Sequence, residues 1–425
     1  MNYTVKEVAD GVRLLSVKAN HFKTNELSVS LALPLKKETA SANAVMAGLL
    51  ARRCAEFPTI LQLNKKLASL YGATVASSVS KIGECQVLKL GMTVVDDRFS
   101  LDSQSISLEG IRLLCNMLFA PRLNSQGGFY EEDVEAEKRI IIEKIEAEEN
   151  EKRTYVLRRA EELMFRGEPY AVNRYGTVDD VKALTCVEVF NAWQNALKTA
   201  QIIVACVGSA DADNIEKLLK NSFDGVGRSY KPLDKAVFVP SCDRVKEHTE
   251  RIDVKQGKLV LGFRVNLEPE SELVPAMRTF CDVFGGGPYS KLFANVREKL
   301  SLCYYCSARY TMAKSYIMIQ CGCNEENMDK AVSEILNQLE AIKNGDFDEE
   351  LKSSKMAMSD LYNSVADMPE TIENWFSSQI IYSRLLTPQQ YAAANNAVTK
   401  QQVQHCASLL SLDTVYKLTA EKEAE

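Results

Sequence analysis

The stretch GGGPYSKLFANVREKLSLCYY, from Gly285 to Tyr305, sets three glycines ahead of an amphipathic segment that carries Arg297 and runs on to Tyr304. A glycine loop beside an arginine and a tyrosine suggests a place where something binds. A guanidinium and a phenol are donors that polarise a carbonyl and stabilise developing negative charge. Gly285, Gly286 and Gly287 either form a helix-start loop, using glycine's freedom at positive φ, or offer backbone amides to a bound chain. The plainer alternative gives Arg297 an ion pair with an acidic helix and buries Tyr304 in a core. Metal chemistry finds little to use. His21, His248 and His405 lie far apart, so the chain holds no H-x-H or H-x-x-E-H pair. The close cysteine pairs, Cys303/Cys306 and Cys321/Cys323, sit in apolar strand-like segments without the turn glycines or histidines of a zinc knuckle. They read as buried free thiols rather than metal ligands.

A chain of 425 residues is too long for one compact core and predicts two or more domains. With 46% apolar and 25% charged residues it has the balance of a globular protein, and a net charge of -6 gives no footprint for nucleic acid. No apolar run approaches the roughly 20 residues of a membrane span, and the N-terminus lacks the pattern of a signal peptide. Twelve cysteines scattered from Cys54 to Cys406 suggest reduced thiols and a cytoplasmic protein.

The elements that must position these residues fall into two halves, 1–228 and 246–425, around a Gly/Pro/Ser-rich linker at 229–245. The first half reads as strands (GVRLLSVKA, LSVSLALPL), then helices (SANAVMAGLLARRCAEF, PTILQLNKKLASLYG). The second helix starts at Pro58-Thr59 and stops at Gly72. Further strands (ATVASSVSK, CQVLKLGMTVV) precede a helix around LEGIRLLCNMLF and a long acidic helix from about Tyr130 to Phe165. The acidic helix has an apolar stripe of Val134, Ile141, Ile142 and Ile145. A buried strand in TAQIIVACVGS leads to a helix capped by Asp211 or Asp213. The second half repeats this vocabulary, and YIMIQCGCNEENMDKAVSEIL parallels IIVACVGSADADNIEKLLKNSF. The fold class is α+β, with two homologous halves, each a duplicated, ferredoxin-like β-sheet/helix unit.

At these residues the chain resembles a family. FGGGPYSKLFANVREKLSLCYYCSA is similar to the C-terminal signature of the pitrilysin/insulysin-type zinc metallopeptidases, S-R-L-F-x-x-V-R-E-K-x-G-L-A-Y after a glycine-rich loop. Ser290, Leu292, Phe293, Val296, Arg297, Glu298, Lys299, Leu302 and Tyr304 fit it, while Ser301 replaces the family's glycine and Cys303 its alanine. YGTVDDVKALTCVEVFNAW, VACVGSADADNIEKLLKNSF and LLTPQQYAAANNAVTKQQVQHCASLL match further family segments in order. Active members bind zinc through H-x-x-E-H on the first long helix, with the glutamate as general base and a later glutamate completing the site. Here that motif falls on Val45, Met46, Ala47, Gly48 and Leu49, so both histidines and the base are gone. The later glutamate aligns with Glu135, or alternatively with Glu137, in VEAEKRIIIEKI. Cys54 lies near the vacated face, but one thiolate and one carboxylate do not make a zinc site.

The resemblance therefore implies no metal and no catalytic residue in this chain, and substrate-binding roles for Arg297, Tyr304 and Gly285 to Gly287. The non-catalytic subunit of mitochondrial processing peptidase likewise lacks the zinc motif and keeps a glycine-rich loop, though a longer one. The leading expectation is an inactive bacterial paralogue that pairs as a heterodimer with an active, zinc-bearing homologue to bind peptide substrates. In the partner's absence the chain is expected to stay alone or to form a homodimer. The alternatives are a scaffold of the same fold and, third, a peptidase with unrecognised ligands.

Overall fold

The segment LSVSLALPL lies in an 11-residue strand, Thr24–Pro34, here β3. Its alternation serves two cores. Leu27, Val29, Leu31 and Leu33 enter the larger one, while Ala32, on the other face, joins a second cluster with Leu15, Val17, Phe376 and Ile380. The computed structural model describes residues 1–101, 104–382 and 385–421. Around β3 lie β1 (Asn2–Ala9), β2 (Val12–Lys18), β4 (Thr74–Ile82), β5 (Cys85–Val95) and β6 (Gln201–Gly208). They form one sheet in the order β1-β2-β6-β3-β5-β4, in which only β2 and β6 run parallel. The other sheet is built from β7 (Lys246–Ile252), β8 (Lys258–Val265), β9 (Tyr305–Thr311), β10 (Tyr316–Gly322) and β11 (Leu410–Ala420), in the order β7-β11-β8-β10-β9.

The two sheets share a plan. Dropping β1, the first reads 2-6-3-5-4 and the second 7-11-8-10-9, and each has its one parallel pair at the same place, β2/β6 and β7/β11. The α+β architecture of two related halves is thus present, with one continuous sheet in each. The segment pairing drawn from the sequence needs correction: by sheet position β10 corresponds to β5, and β6 corresponds to β11. An apolar strand followed by a helix with an acidic first turn is a local pattern that recurs at non-equivalent positions.

The long acidic helix is two helices, Glu131–Asn150 and Lys152–Met164. Glu151 breaks the run by capping the second, its carboxylate accepting the Thr154 amide at 2.7 Å. The break adjoins a division of the chain into two compact units. One comprises 1–146, 172–235 and 365–388; the other comprises 147–171, 236–364 and 389 onward. In the first unit, the helix Pro369–Ser377 covers the small-residue face of the sheet with Ile372 and Phe376. In the second, Val156, Ala160, Met164 and Phe165 cover Val260, Tyr316, Met318 and Tyr416. No helix or strand occurs from Ser229 to Val245, the stretch read as a linker.

Candidate functional site

The degenerate motif lies on the helix Lys37–Leu50, which is buried from Ala40 through Leu50. Val45 and Leu49 belong to the core of the first unit. Facing them is a carboxylate, and it is Glu137 rather than Glu135. A Cβ added to Gly48 would lie 1.9 Å from Glu137 Oε1, so that side chain fills the space a larger residue at 48 would need. Glu137 is 2% exposed and accepts from Arg52 Nε at 2.7 Å. Glu135 instead points to solvent and receives Lys138 Nζ at 2.7 Å. Residues two apart on a helix point about 200° from each other, so only one of the two can face inward. The apolar stripe held the clue: 137 is three past Val134 and four before Ile141, the two buried positions that fix the inner face.

The guanidinium of Arg52 therefore supplies the positive charge opposite Glu137 in this part of the unit. Beside it Asp133 accepts from Arg53 at 2.7 Å and from Arg122 at 2.7 Å. These carboxylates are matched by arginines, and the side chains at 45 and 49 have no donor atoms for zinc. Cys54 is fully buried, and burial pushes its thiol up, away from the thiolate a metal would require.

The glycine motif belongs to the other unit. Gly285 ends the helix Val274–Gly285, and none of Gly285, Gly286 and Gly287 adopts a positive φ. The helix-start loop expected from the sequence is thus a helix end, and the glycines serve close packing. A Cβ on Gly285 would sit 2.5 Å from the Ala308 amide of β9, and one on Gly286 would sit 2.0 Å from Asp282 Oδ1. A turn later, Leu292–Lys299 forms a π-helix, closed at its end by the Leu300 amide donating to Asn295 O at 3.1 Å. Such wide turns are rare and concentrate at functional sites. Ser301, in place of the family's glycine, has φ +51°, the left-handed conformation that glycine adopts without strain.

Arg297 sits on the π-helix with its guanidinium 4.5 Å from the Phe293 ring and its Nε 3.5 Å from Glu298. Its side chain is 40% exposed. Tyr304 is 60% exposed, while its amide donates to Gly322 O at 2.8 Å and so carries the β9/β10 ladder one residue further. The buried tyrosine and the ion pair with an acidic helix are therefore not what forms. Tyr305 is the one packed inward, its ring 3.9 Å from the Arg153 guanidinium. Strand β9 is the edge of its sheet.

Sequence reading saw the cysteines as two sequence-local pairs and missed their convergence. Cys306 and Cys321 are direct partners across β9 and β10, and Cys303 joins them, the three Sγ atoms lying within 4.8 Å of one another. Hydrogen bonds from the Cys306 and Cys321 thiols hold the Cys303 sulfur well below the ordinary thiol value, and the Arg297 charge acts in the same direction.

Two related α+β sheets, a buried helix with Val45, Gly48 and Leu49 at the zinc-motif positions, and an exposed Arg297–Tyr304 pair are the features that the resemblance to a zinc peptidase family predicts. Comparisons agree. A model of the peptidase M16 inactive domain matches residues 184–357. The chain is 28% identical over 415 residues, 97% of both chains, to the "Probable inactive metalloprotease YmfF" of Bacillus subtilis (strain 168). The crystal structure of a conserved protein from Enterococcus faecalis V583 superposes over 100% of both chains with TM-score 0.91 and 26% identity. The peptidase M16 inactive domain from Pseudomonas fluorescens, 14% identical, shares the fold over 100% of both chains with TM-score 0.80. Along its whole length the chain is thus similar to peptidase M16 homologues, and the family model and the relative that it matches are themselves described as inactive. Among the described residues, no helix is long and apolar enough to cross a membrane.

Proposed function

We propose that the chain is the non-catalytic half of a peptidase pair, one that holds peptide for an active homologue bearing zinc. The observation that carries this reading is the exposure of Arg297 and Tyr304 beside an edge strand. The outer edge of β9 pairs with no other strand among the described residues. An extended peptide can add to such an edge through main-chain hydrogen bonds, with neighbouring donors fixing its register. Arg297 and Tyr304 supply such donors, and the arginine-matched carboxylates around Gly48 explain why cutting is left to a partner.

The test is reconstitution with a homologue carrying an intact H-x-x-E-H from the same genome. The pair is expected to co-purify and to cleave extended peptides. Arg297→Ala and Tyr304→Phe should each lower kcat/KM about tenfold or more, with the pair still assembled. Unchanged turnover in both variants would rule out peptide positioning by this motif and leave a scaffold role.

A further inference from the structure

Three of the twelve cysteines converge on one side of a single β-hairpin, and they are the only such group of metal-ligating residues among the described residues. Cys306 and Cys321 face each other in register across β9 and β10, and Cys303 precedes β9 by two residues. Their sulfurs lie within 4.8 Å of one another, and each residue is at most 8% exposed. Cys323, two residues beyond Cys321, is fully buried with its thiol hydrogen-bonded to Cys321. The other buried cysteines, such as Cys281 in the same core, act as small apolar fillers and need no neighbour of their kind.

We propose that Cys303, Cys306 and Cys321 form a thiolate cradle for a soft d10 cation of the Zn(II) type. The donor set decides the class of ion. It contains sulfur alone, without a carboxylate or imidazole, and sulfur donors select thiophilic ions over magnesium or calcium. Sulfurs arranged tetrahedrally about zinc at about 2.3 Å stand roughly 3.8 Å apart, inside the observed spread. The residual negative charge of a thiolate-bound ion is faced by two cations: Arg297 acts on Cys303 and Lys258 on Cys323. With the sulfurs so enclosed, the ion enters as the domain folds and becomes part of its stability. The site is structural, because its three sulfurs are buried in the domain core and away from solvent. Its sulfur donors are not part of the peptide-holding motif, and only Arg297 is common to both.

Purified full-length chain, kept reduced, is stripped with a chelator under mild denaturant, refolded and titrated with Zn2+ and with Co2+. About one equivalent of either ion should bind. Cobalt should give the intense near-ultraviolet thiolate charge-transfer band of a sulfur site, and Zn2+ should raise the melting temperature. Cys321→Ser should lose at least nine-tenths of the bound ion at matched concentration, whereas Cys281→Ser should retain it. If Cys321→Ser fails to fold, the cobalt spectrum of the unaltered chain still decides, because carboxylate or imidazole donors give no such band. Three results would overturn the proposal. One is a refolded chain that binds neither ion, another is a thiol titre two short of twelve that reveals a disulfide, and the third is an ion lost in Glu137→Gln but kept in Cys321→Ser.

Discussion

At the scale of single residues, the contact between Gly48 and Glu137 decides what this chain can no longer do. The Glu137 carboxylate occupies the volume next to Gly48 and is held there by Arg52. A glutamate restored at 48 would meet the Glu137 carboxylate where Arg52 now holds it, so rebuilding a zinc site at Val45, Gly48 and Leu49 also requires Glu137 to leave Arg52 for the metal. A methyl group already tests this. Alanine favours a helix over glycine by about 1 kcal/mol, whereas overpacking a filled site costs about 1–3 kcal/mol. Gly48→Ala is therefore expected to lower stability by about 1 kcal/mol. In the Glu137→Ala background, where the obstruction is gone, the same change should stabilise. Thermal melts of the four combinations measure the coupling, and a Gly48→Ala single variant that melts above the parent would refute the steric account.

At the scale of elements, β3 and β5 meet the helix Pro369–Ser377 over a charged layer inside the first unit. Glu373 is fully buried and accepts from Ser28 at 2.6 Å, from Ser377 and from Lys89. Nearby on β3, burial pushes the Glu26 carboxyl up to about 7, with the Thr93 hydroxyl and Lys89 opposing and Glu373 and Glu370 adding to the rise. A carboxyl raised in the folded state binds its proton more tightly there than in the unfolded chain. Its stabilising contribution is complete below the unfolded value of about 4.5 and fades as pH rises through about 7. Urea melts should show the parent losing at least about 1 kcal/mol more than Glu26→Gln between about pH 5 and about pH 8. Parallel losses in the two proteins would exclude Glu26 as the source.

The same elements show what could be read in advance. β3 and β5 announced themselves as apolar strand-like runs, and the helix Ile60–Ser69 by its Pro58-Thr59 start and Gly72 stop. β11 did not, because Asp413 interrupts its apolar pattern. That buried aspartate is matched by Arg264 at 3.1 Å and Lys246 at 3.2 Å, partners far away in sequence, and the β8 register shifts beside it. β7 is a polar edge strand and carries no pattern to read. At the candidate sites, the loss of zinc ligands and the exposed arginine–tyrosine pair were legible as residue types. The identity of the inward glutamate and the meeting of three thiols depended on side-chain direction and strand register, which local patterns do not fix.

At the scale of the whole molecule, the chain's order and its compact units do not coincide, and this has a consequence for any attempt to separate the halves. Residues 365–388 complete the first unit, and residues 147–171 complete the second. Cutting between Lys235 and Ala236 would leave an N-terminal fragment without Ile372, Phe376 and Ile380. Those side chains cover Leu15, Val17, Ala32, Val87 and Ile203 on the sheet. Each large apolar side chain left in water forfeits roughly 1.5–3 kcal/mol, so the uncovered face costs as much as the margin by which a domain is folded. Exposed, it would also favour aggregation. The C-terminal fragment lacks Val156, Ala160, Met164 and Phe165, and with them the cover over Val260, Met318 and Tyr416. Fragments 1–235 and 236–425 expressed alone are therefore expected to be insoluble or molten, with weak near-ultraviolet circular dichroism. Co-expressed, they should recover a soluble 1:1 complex with the spectrum of the intact chain. A fragment 1–235 that folds alone with a sharp melting transition would show that the cover contributed by residues 365–388 is dispensable.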